Sequence, residues 1–189
     1  MLRVTWEWLG QAPALDLADT VAVVEGLEHD LIASGPDYER WARSEAAFLP
    51  PDSFRLLERA RPELLRVRTS IRQLLGATAA GERWRPGLAE ELNVVSRQAP
   101  RWLELDPTGP LLQERSCGSA AEDLVARYAR SAMEIVAGEA GRLRRCTAPS
   151  CGMFYLSSRD GQRWCSTQCG TRARVAKHYG RRRQRAGSP

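Results

Sequence analysis

The chain has 189 residues, of which 43% are hydrophobic and 27% are charged, and its formal net charge is +5. This length and composition suit one globular domain with a small appendage, and they exclude a disordered chain. No apolar run approaches the roughly 18 residues of a membrane helix, and the N-terminus lacks the apolar core of a signal peptide. We therefore expect a soluble cytoplasmic protein, in which clustered cysteines are metal ligands more often than disulfides.

The N-terminal part of the chain is predicted to contain a strand followed by a helix. The alternation of apolar residues over 14–18 favours a strand, whereas residues 20–32 are apolar at first and then mixed. That second stretch therefore fits either a helix or a strand. Residues 35–37, Gly-Pro-Asp, indicate a turn that can start a helix running through Trp41 to Phe48.

Helical periodicity is clearest in the middle of the chain. Pro62 can begin a helix, because a proline is tolerated in the first turn. Apolar residues then recur at helical spacing over 64–78, and Gly81 is expected to end this helix. A further amphipathic helix is predicted over residues 88–99, closed by the proline that follows.

A hairpin and one more helix are predicted to complete this region. Residues 101–106 and 111–115 are short extended runs on either side of a Pro/Gly turn, a pattern typical of a β-hairpin. Ser119 and Glu122 have the spacing of a capping box, which begins a helix that ends near residue 138 or 141. The sequence therefore predicts a helix-rich α+β domain with a few short strands.

Positive charge is concentrated at the C-terminal end. Residues 141–189 contain 12 of the 28 lysines and arginines and one acid, Asp160, which gives +11. Residues 1–140 contain 16 basic and 22 acidic side chains, which gives −6. We divide the chain at this point into a body, residues 1–140, and a basic end, residues 141–189. Such a split indicates nucleic acid or another polyanion as a partner, although a basic end can also serve solubility alone.

Four of the five cysteines lie close together in the basic end. Cys146, Cys151, Cys165 and Cys169 follow the pattern C-x4-C, thirteen residues, C-x3-C. Zinc accepts four thiolates in a tetrahedron, and a closed shell of four sulfurs is structural because no position remains for a catalytic water. We predict one structural Zn²⁺ held by all four, with two disulfides or four buried thiols as the alternative. Cys117 stands alone and is expected to be a small buried residue.

The spacing of the cysteine pairs also predicts the shape of the module. Residues 153–156 and 162–164 are expected to form a hairpin around a turn through 157–161. Cys165 would then stand at the head of a helix, with Cys169 one turn further on the same face. A turn, a hairpin and a helix with ligands at both ends make a treble-clef-like finger.

The helix over residues 166–185 is predicted to bind nucleic acid. Its small residues Cys169, Ala173, Ala176 and Gly180 would pack on the finger. A basic face on a rigid finger suits phosphate contacts or insertion into a groove, although a solvated terminal helix is the alternative. The candidate nucleic-acid-binding residues are Arg172, Arg174, Lys177, His178, Arg181, Arg182 and Arg185.

The strings RRCTAPSCGMFY at residues 144–155 and RWCSTQCGTRARVAKH at residues 163–178 closely resemble the CGNR zinc finger. In that family the finger follows an ABATE domain, and the members are stress-induced transcription regulators. The string ALDLADT at residues 14–20 looks like the strand Leu-Asp-Phe-Val-Asn-Thr of the same family. The chain departs from the family at Thr171 and at Asp19, because the family has asparagine at both positions. The resemblance implies an ABATE-like body over residues 1–140, a zinc finger over 141–189 and a role in transcription.

Three classes of function follow from these observations. The first is a zinc-dependent regulator whose finger binds duplex DNA and whose body senses a small-molecule effector or forms a homodimer. The second is an RNA- or protein-binding zinc module without promoter specificity. The third is an enzyme, which we do not expect, because the two histidines, His29 and His178, lie far apart and no phosphate-binding glycine loop is present.

Four polar residues of the body are candidates for binding an effector. They lie on or beside apolar elements, so their polar groups need partners in the interior. Structural hydrogen bonds and ion pairs are the alternative explanation for them. These candidates are Asp16, Arg68, Arg72 and Asn93.

Overall fold

The computed structural model describes residues 10–24 and 26–186, with side chains as far as Gly180. Within these residues the chain forms seven helices and three two-stranded antiparallel sheets, which confirms the predicted α+β class. In chain order the elements are α1 (Pro13–Ala18), β1 (Val21–Val24), β2 (Leu27–Asp30), α2 (Gly35–Ala46), α3 (Ser53–Arg59), α4 (Arg61–Ala80), α5 (Leu88–Gln98), β3 (Arg101–Leu105), β4 (Leu112–Ser116), α6 (Ala120–Gly138), β5 (Leu143–Arg145), β6 (Phe154–Leu156) and α7 (Thr167–Ala186).

The core of the body lies between α4 and α6, with α1 and α5 packed against both. The predicted bounds of α4 are confirmed: Pro62 lies in its first turn, and Gly81 ends it with a φ of 70° that favours glycine. The capping box of α6 is also confirmed, because the Ser119 hydroxyl accepts from the backbone N–H of Glu122, whose carboxylate accepts from the N–H of Ser119. Trp41 of α2 and Tyr128 of α6 are completely buried in this core.

Residues 14–18 form part of helix α1, so the predicted strand is wrong. Pro13 occupies the first turn of α1, where the N–H that proline lacks would have no partner. Every residue from 14 to 18 is buried, and the backbone N–H of Asp19 donates to the carbonyl of Leu15. Because all sides of the segment are covered, its apolar alternation carried no information about which face pointed inward.

The other extended segments of the body are hairpins. The ambiguous residues 20–32 contain β1 and β2, which pair from Val21 opposite Asp30 to Val24 opposite Leu27. The predicted hairpin at 101–115 is confirmed as β3 paired with β4. Cys117, just after β4, is exposed, so the prediction that it is buried is wrong.

The C-terminal module is attached to the body through its own hairpin. Leu143 of β5 and Phe154 of β6 are buried in the main core, although both lie beyond residue 140. A second, smaller cluster contains the four cysteines with Met153 and Tyr155. None of the helices in the described part of the chain combines the length and the apolar character needed to cross a bilayer.

Candidate metal centre and basic helix

The first cysteine pair lies on a tight connection between β5 and β6. Leu143 pairs with Leu156 and Arg145 with Phe154, so the predicted pairing of residues 153–156 with 162–164 is wrong. The partner strand of β6 is β5, which lies before the first cysteine pair. The predicted partner, residues 162–164, lies after that pair. Cys146 follows β5 directly, and its backbone N–H donates to the carbonyl of Met153 at 2.8 Å. We call residues 146–153 the knuckle.

The second pair lies at the start of α7. Cys165 precedes the helix by two residues, and Cys169 lies in its first turn with its N–H donating to the Ser166 hydroxyl at 3.2 Å. The backbone N–H of Cys165 points at the Cys146 sulfur at 3.4 Å, which joins the helix start to the knuckle. This arrangement brings all four predicted ligands together.

The four sulfurs have the spacing that zinc requires. Their Sγ atoms all lie within 4.8 Å of one another. Cys165 Sγ is 3.7 Å from that of Cys151 and 3.5 Å from that of Cys169, and the Cys151–Cys169 distance is 3.6 Å. A tetrahedron with Zn–S bonds of about 2.3 Å has edges of about 3.8 Å. The donor set therefore fits one structural Zn²⁺ ion, as predicted.

The thiols also have the electrostatics of a cation site. Hydrogen bonds from the neighbouring thiols lower the pKa of Cys146 to about 2. The same sharing of protons raises the pKa of Cys151 to about 12 and raises the pKa of Cys165 further. Four thiols this close cannot all ionise by themselves, because their negative charges would repel one another. A divalent cation at their centre stabilises all four thiolates.

Arg172 contacts the metal centre directly. Its Nη2 donates to the Cys169 sulfur at 3.0 Å. Four thiolates around Zn²⁺ carry a net charge of about −2, which a guanidinium at this distance partly offsets. We predicted Arg172 as a nucleic-acid contact, and the structure places at least one of its donors on a zinc ligand. The hydrogen-bond donors of the side chain that do not face sulfur can still contact phosphate.

The finger has a small core of its own around the metal ligands. Tyr155 is completely buried, and its hydroxyl donates to the carbonyl of Gln162 at 2.8 Å. Trp164 packs against this cluster, and its ring lies so close to Gly170 that an added Cβ would be 3.0 Å from it. Thr171 donates to the carbonyl of Thr167 at 3.1 Å, and its hydroxyl accepts from Arg174 at 3.0 Å.

Helix α7 leaves the finger after its second turn. Ala173 is half-buried against the finger, and every residue from Arg174 to Gly180 is exposed. Ala176 and Gly180 therefore do not pack on the finger as predicted. Lys177 and His178 are exposed as expected. Arg181, Arg182 and Arg185 lie within the backbone of α7, but their side chains lie outside the described part of the structure.

A polar cleft lies beside the first turn of α7. Its volume is about 560 Å³, and Arg163, Trp164 and Arg174 are among its lining residues. The guanidinium of Arg174 lies 6.0 Å from the centre of the Trp164 ring. Positive charge is thus present on the finger surface as well as on the projecting part of the helix.

Two of the four effector candidates lie together, and two do not. Arg68 and Arg72 of α4 line a second cleft of about 430 Å³ at the junction of body and finger. Asp16 is buried in α1, where its carboxylate accepts from the backbone N–H of Gly10, and Asn93 is half-buried on α5. Neither Asp16 nor Asn93 lines that cleft.

The finger is fixed to the body by hydrogen bonds to the finger backbone that the sequence did not reveal. Asp19 is buried at the end of α1, and its carboxylate accepts from the backbone N–H of Phe154 at 2.7 Å. The N–H of Val23 in β1 donates to the carbonyl of Cys151 at 3.2 Å. Burial raises the pKa of Asp19 well above its usual range. In the sequence, Asp19 is notable only as a departure from a family pattern. Its hydrogen bond to Phe154 could not be predicted, because the two residues are 135 positions apart.

Comparison with known families finds two matching family models. The model of the ABATE family, described as "Putative stress-induced transcription regulator", matches residues 11–139. The model of the CGNR zinc finger matches residues 142–182. A comparison with curated proteins finds no match.

Proposed function

We propose that this chain, which belongs to the ABATE family and carries a CGNR zinc finger, is a zinc-dependent, DNA-binding regulator of transcription. The observation that carries the proposal is the exposed basic helix α7, whose first turn holds a zinc ligand while residues 174–180 extend into solvent. The zinc centre fixes where the helix starts and in which direction it leaves the finger.

The dimensions and the charge of α7 suit a nucleic-acid groove. The part from residue 174 to 186 would extend for about 20 Å at about 1.5 Å per residue. The major groove of B-DNA is about 12 Å wide and admits an α-helix. The segment 167–186 contains basic residues and no acid, so it can lie against phosphates without like-charge repulsion.

The body has a regulatory role in this proposal. It would sense a small-molecule effector or a protein partner and transmit the signal to the finger, in the cytoplasm where the DNA target lies. A homodimer is one form that such a regulator can take, and it stays a prediction. We propose no catalysis at the metal, since four sulfur ligands leave no open position on it.

A fluorescence-anisotropy titration of the zinc-loaded protein with duplex DNA tests the DNA-binding role. The double variant Arg174→Ala/Lys177→Ala removes two exposed charges of α7. If both contact phosphate, the magnitude of the negative slope of log K against log[salt] should fall by about 1.8, at about 0.9 for each phosphate contact. Arg83→Ala, which removes one exposed charge of the body, is the control and should leave the slope unchanged.

Two results would contradict the DNA-binding proposal. One is the absence of binding to duplex DNA at low salt by protein that contains one zinc ion per chain. The other is a double variant that binds with the affinity and the salt slope of the unaltered chain. Zinc content is measured on every preparation, so that loss of the finger is not mistaken for loss of a contact.

A second candidate function is recognition of single-stranded RNA. The observation that favours it is Tyr179, an aromatic residue of α7 that is 62% exposed and next to His178. Exposed aromatic rings stack on unpaired bases without regard to sequence. Competition between duplex DNA and single-stranded RNA for the same protein separates the two. Preference for RNA that is lost in Tyr179→Ala would favour the second candidate.

A further inference from the structure

The cleft at the junction of body and finger is built from three separate parts of the chain. Helix α4 contributes Arg68 and Arg72, the β1–β2 hairpin contributes Glu28 and Asp30, and the finger contributes Arg145 with Phe154. The volume of about 430 Å³ is within the range of small-molecule sites. A Cβ added at Gly76 would lie 3.9 Å from the Phe154 ring, an ordinary contact distance.

Two of the cations in this cleft, Arg68 and Arg72, lie deep inside it, and Glu28 lies at its rim. The side chains of Arg68 and Arg72 are only 10% and 11% exposed, whereas that of Glu28 is 65% exposed. Arg68 is held by both oxygens of Asp30, at 2.9 and 2.6 Å, and is therefore structural. Among the described residues, three guanidinium groups and two carboxylates line the cleft, which gives an excess of one positive charge.

Arg72 and Arg145 are positioned to offer donors to a ligand. The Nη1 of Arg72 donates to the backbone carbonyls of Ala18 and Val21, and only its Nη2 reaches Glu28, at 2.7 Å. The Nε of Arg145 donates to the carbonyl of Gly152 at 3.1 Å, which uses one of five N–H donors. The two guanidinium carbons lie 6.0 and 5.6 Å from the centre of the same Phe154 ring.

We propose that this cleft binds a small molecule through an oxyanion group, either a carboxylate or a phosphate. The oxyanion takes the place of the Glu28 carboxylate on Arg72 and also accepts from Arg145. Planar guanidinium groups match carboxylate and phosphate oxygens in pairs. The ligand can replace Glu28 on Arg72 because the Glu28 side chain is largely exposed to solvent. Ion pairs with an exposed carboxylate contribute little to stability.

The cleft is connected to the zinc finger by a short path. Glu28 lies opposite Val23 in the β1–β2 register, and the Val23 N–H donates to the carbonyl of Cys151, a zinc ligand. Arg145 directly precedes Cys146, the first ligand. Release of Glu28 can therefore change how the knuckle is held on the body. This coupling to DNA rests on the proposed function, whereas binding in the cleft does not.

Isothermal titration calorimetry of the full-length, zinc-loaded chain tests the proposal, with inorganic phosphate and benzoate as probes at constant ionic strength. Glu28→Gln removes the internal competitor and should tighten binding about twofold to fivefold. Arg145→Gln removes ligand donors and should weaken binding about tenfold or more. Arg83→Gln removes one positive charge, as Arg145→Gln does, at an exposed site outside the cleft. It should not change the affinity for either probe.

Opposite changes in the two cleft variants support the proposal, because a merely structural role of Glu28 would not tighten binding. Binding of phosphate alone or of benzoate alone identifies which oxyanion the site prefers and also supports it. Absence of saturable binding to both the unaltered chain and Glu28→Gln overturns it, as does unchanged affinity in both variants. Zinc content and the unfolding midpoint of Arg145→Gln show that the variant is folded.

Anisotropy with duplex DNA, with and without saturating probe, measures the coupling separately. A probe that binds and changes DNA affinity supports the path through Val23 and the knuckle. A chain that binds the probe but no DNA contradicts the transcription-regulator proposal, while the calorimetric result still decides the cleft. The two proposals therefore fail in distinguishable ways.

Discussion

Asp19 connects the body to the finger through one hydrogen bond to the backbone of β6. A buried carboxyl is most stable when neutral, because burial penalises its charged form. The N–H of Phe154 and the charge of Arg72 act in the opposite direction, yet desolvation is the largest effect and the pKa of Asp19 is raised. The protonated carboxyl has the same number of heavy atoms as the asparagine of the related sequences.

We predict that Asp19→Asn changes the pH dependence of stability. A carboxyl whose folded pKa lies above the unfolded value of 3.8 stabilises fully below that value and loses this contribution as pH rises through the folded pKa. Asparagine keeps the accepting oxygen and cannot ionise. The free energy of unfolding of the variant relative to the unaltered chain should therefore increase between acidic and neutral pH, as measured by urea denaturation. A difference that is constant with pH would contradict the assignment.

Arg172 supplies a second prediction for a single residue. Arg172→Ala removes the charge-assisted bond to the Cys169 sulfur, and loss of such an outer contact lowers metal affinity about tenfold to a hundredfold. Competition with a chromophoric chelator measures the effect. Lys177→Ala is the control, because it removes an exposed charge of the same helix, two turns beyond Cys169. Equal zinc affinity in both variants would show that Arg172 does not support the metal.

Among the elements, those specified by local patterns were predicted correctly. The apolar period of α4, the capping box of α6 and the β3–β4 hairpin each depend on residues close together in sequence. The errors at α1 and β6 have a different origin. Helix α1 is buried on all sides, so its sequence lacks the helical period of an amphipathic helix. For β6, extended segments both before and after the knuckle were possible partners, and local sequence does not distinguish them. The zinc ligands were predictable because metal geometry constrains their spacing directly.

The same reasoning explains why the cleft was predicted only in part. Arg68 and Arg72 stand out because they are charges beside an apolar helical face. Glu28 and Arg145 have no comparable signal, because they meet only when β2 and β5 are both placed against α4. Long-range packing of this kind is not encoded in any window of the sequence.

The knuckle offers a prediction that separates backbone strain from packing. Gly152 has a φ of 77°, and an added Cβ would lie 3.1 Å from the Cβ of Val23. Gly161 has a φ of 73° with no atom within 4 Å of the added Cβ. Each alanine variant should cost about 1–2 kcal/mol of stability for the positive φ. Gly152→Ala should cost more than Gly161→Ala in urea denaturation, and it should speed hydrogen exchange at the Val23 amide. Equal costs would mean that contact with β1 is unimportant.

At the scale of the whole molecule, two hydrophobic clusters share one hairpin. Leu143 and Phe154 are buried in the core of the body, whereas Tyr155 and the cysteines form the cluster of the finger. The larger cluster is built mainly from α1, α2, α4 and α6, and no metal ligand belongs to it. Half of the buried residues of the smaller cluster are metal ligands, so its stability depends on the metal.

Removal of zinc should therefore unfold the finger and leave most of the body folded. With excess chelator, hydrogen exchange measured by mass spectrometry should lose protection in the knuckle and in the first turns of α7, whereas the amides of α4 and α6 keep theirs. Cys165→Ser should reproduce the effect without chelator, because three thiolates bind zinc more weakly than four. Cys117→Ser is the control, since that thiol is exposed and outside the cluster. Parallel loss of protection in α4 and α6 would show instead that Phe154 and Leu143 make body and finger one cooperative unit, in which case the metal would stabilise the entire chain.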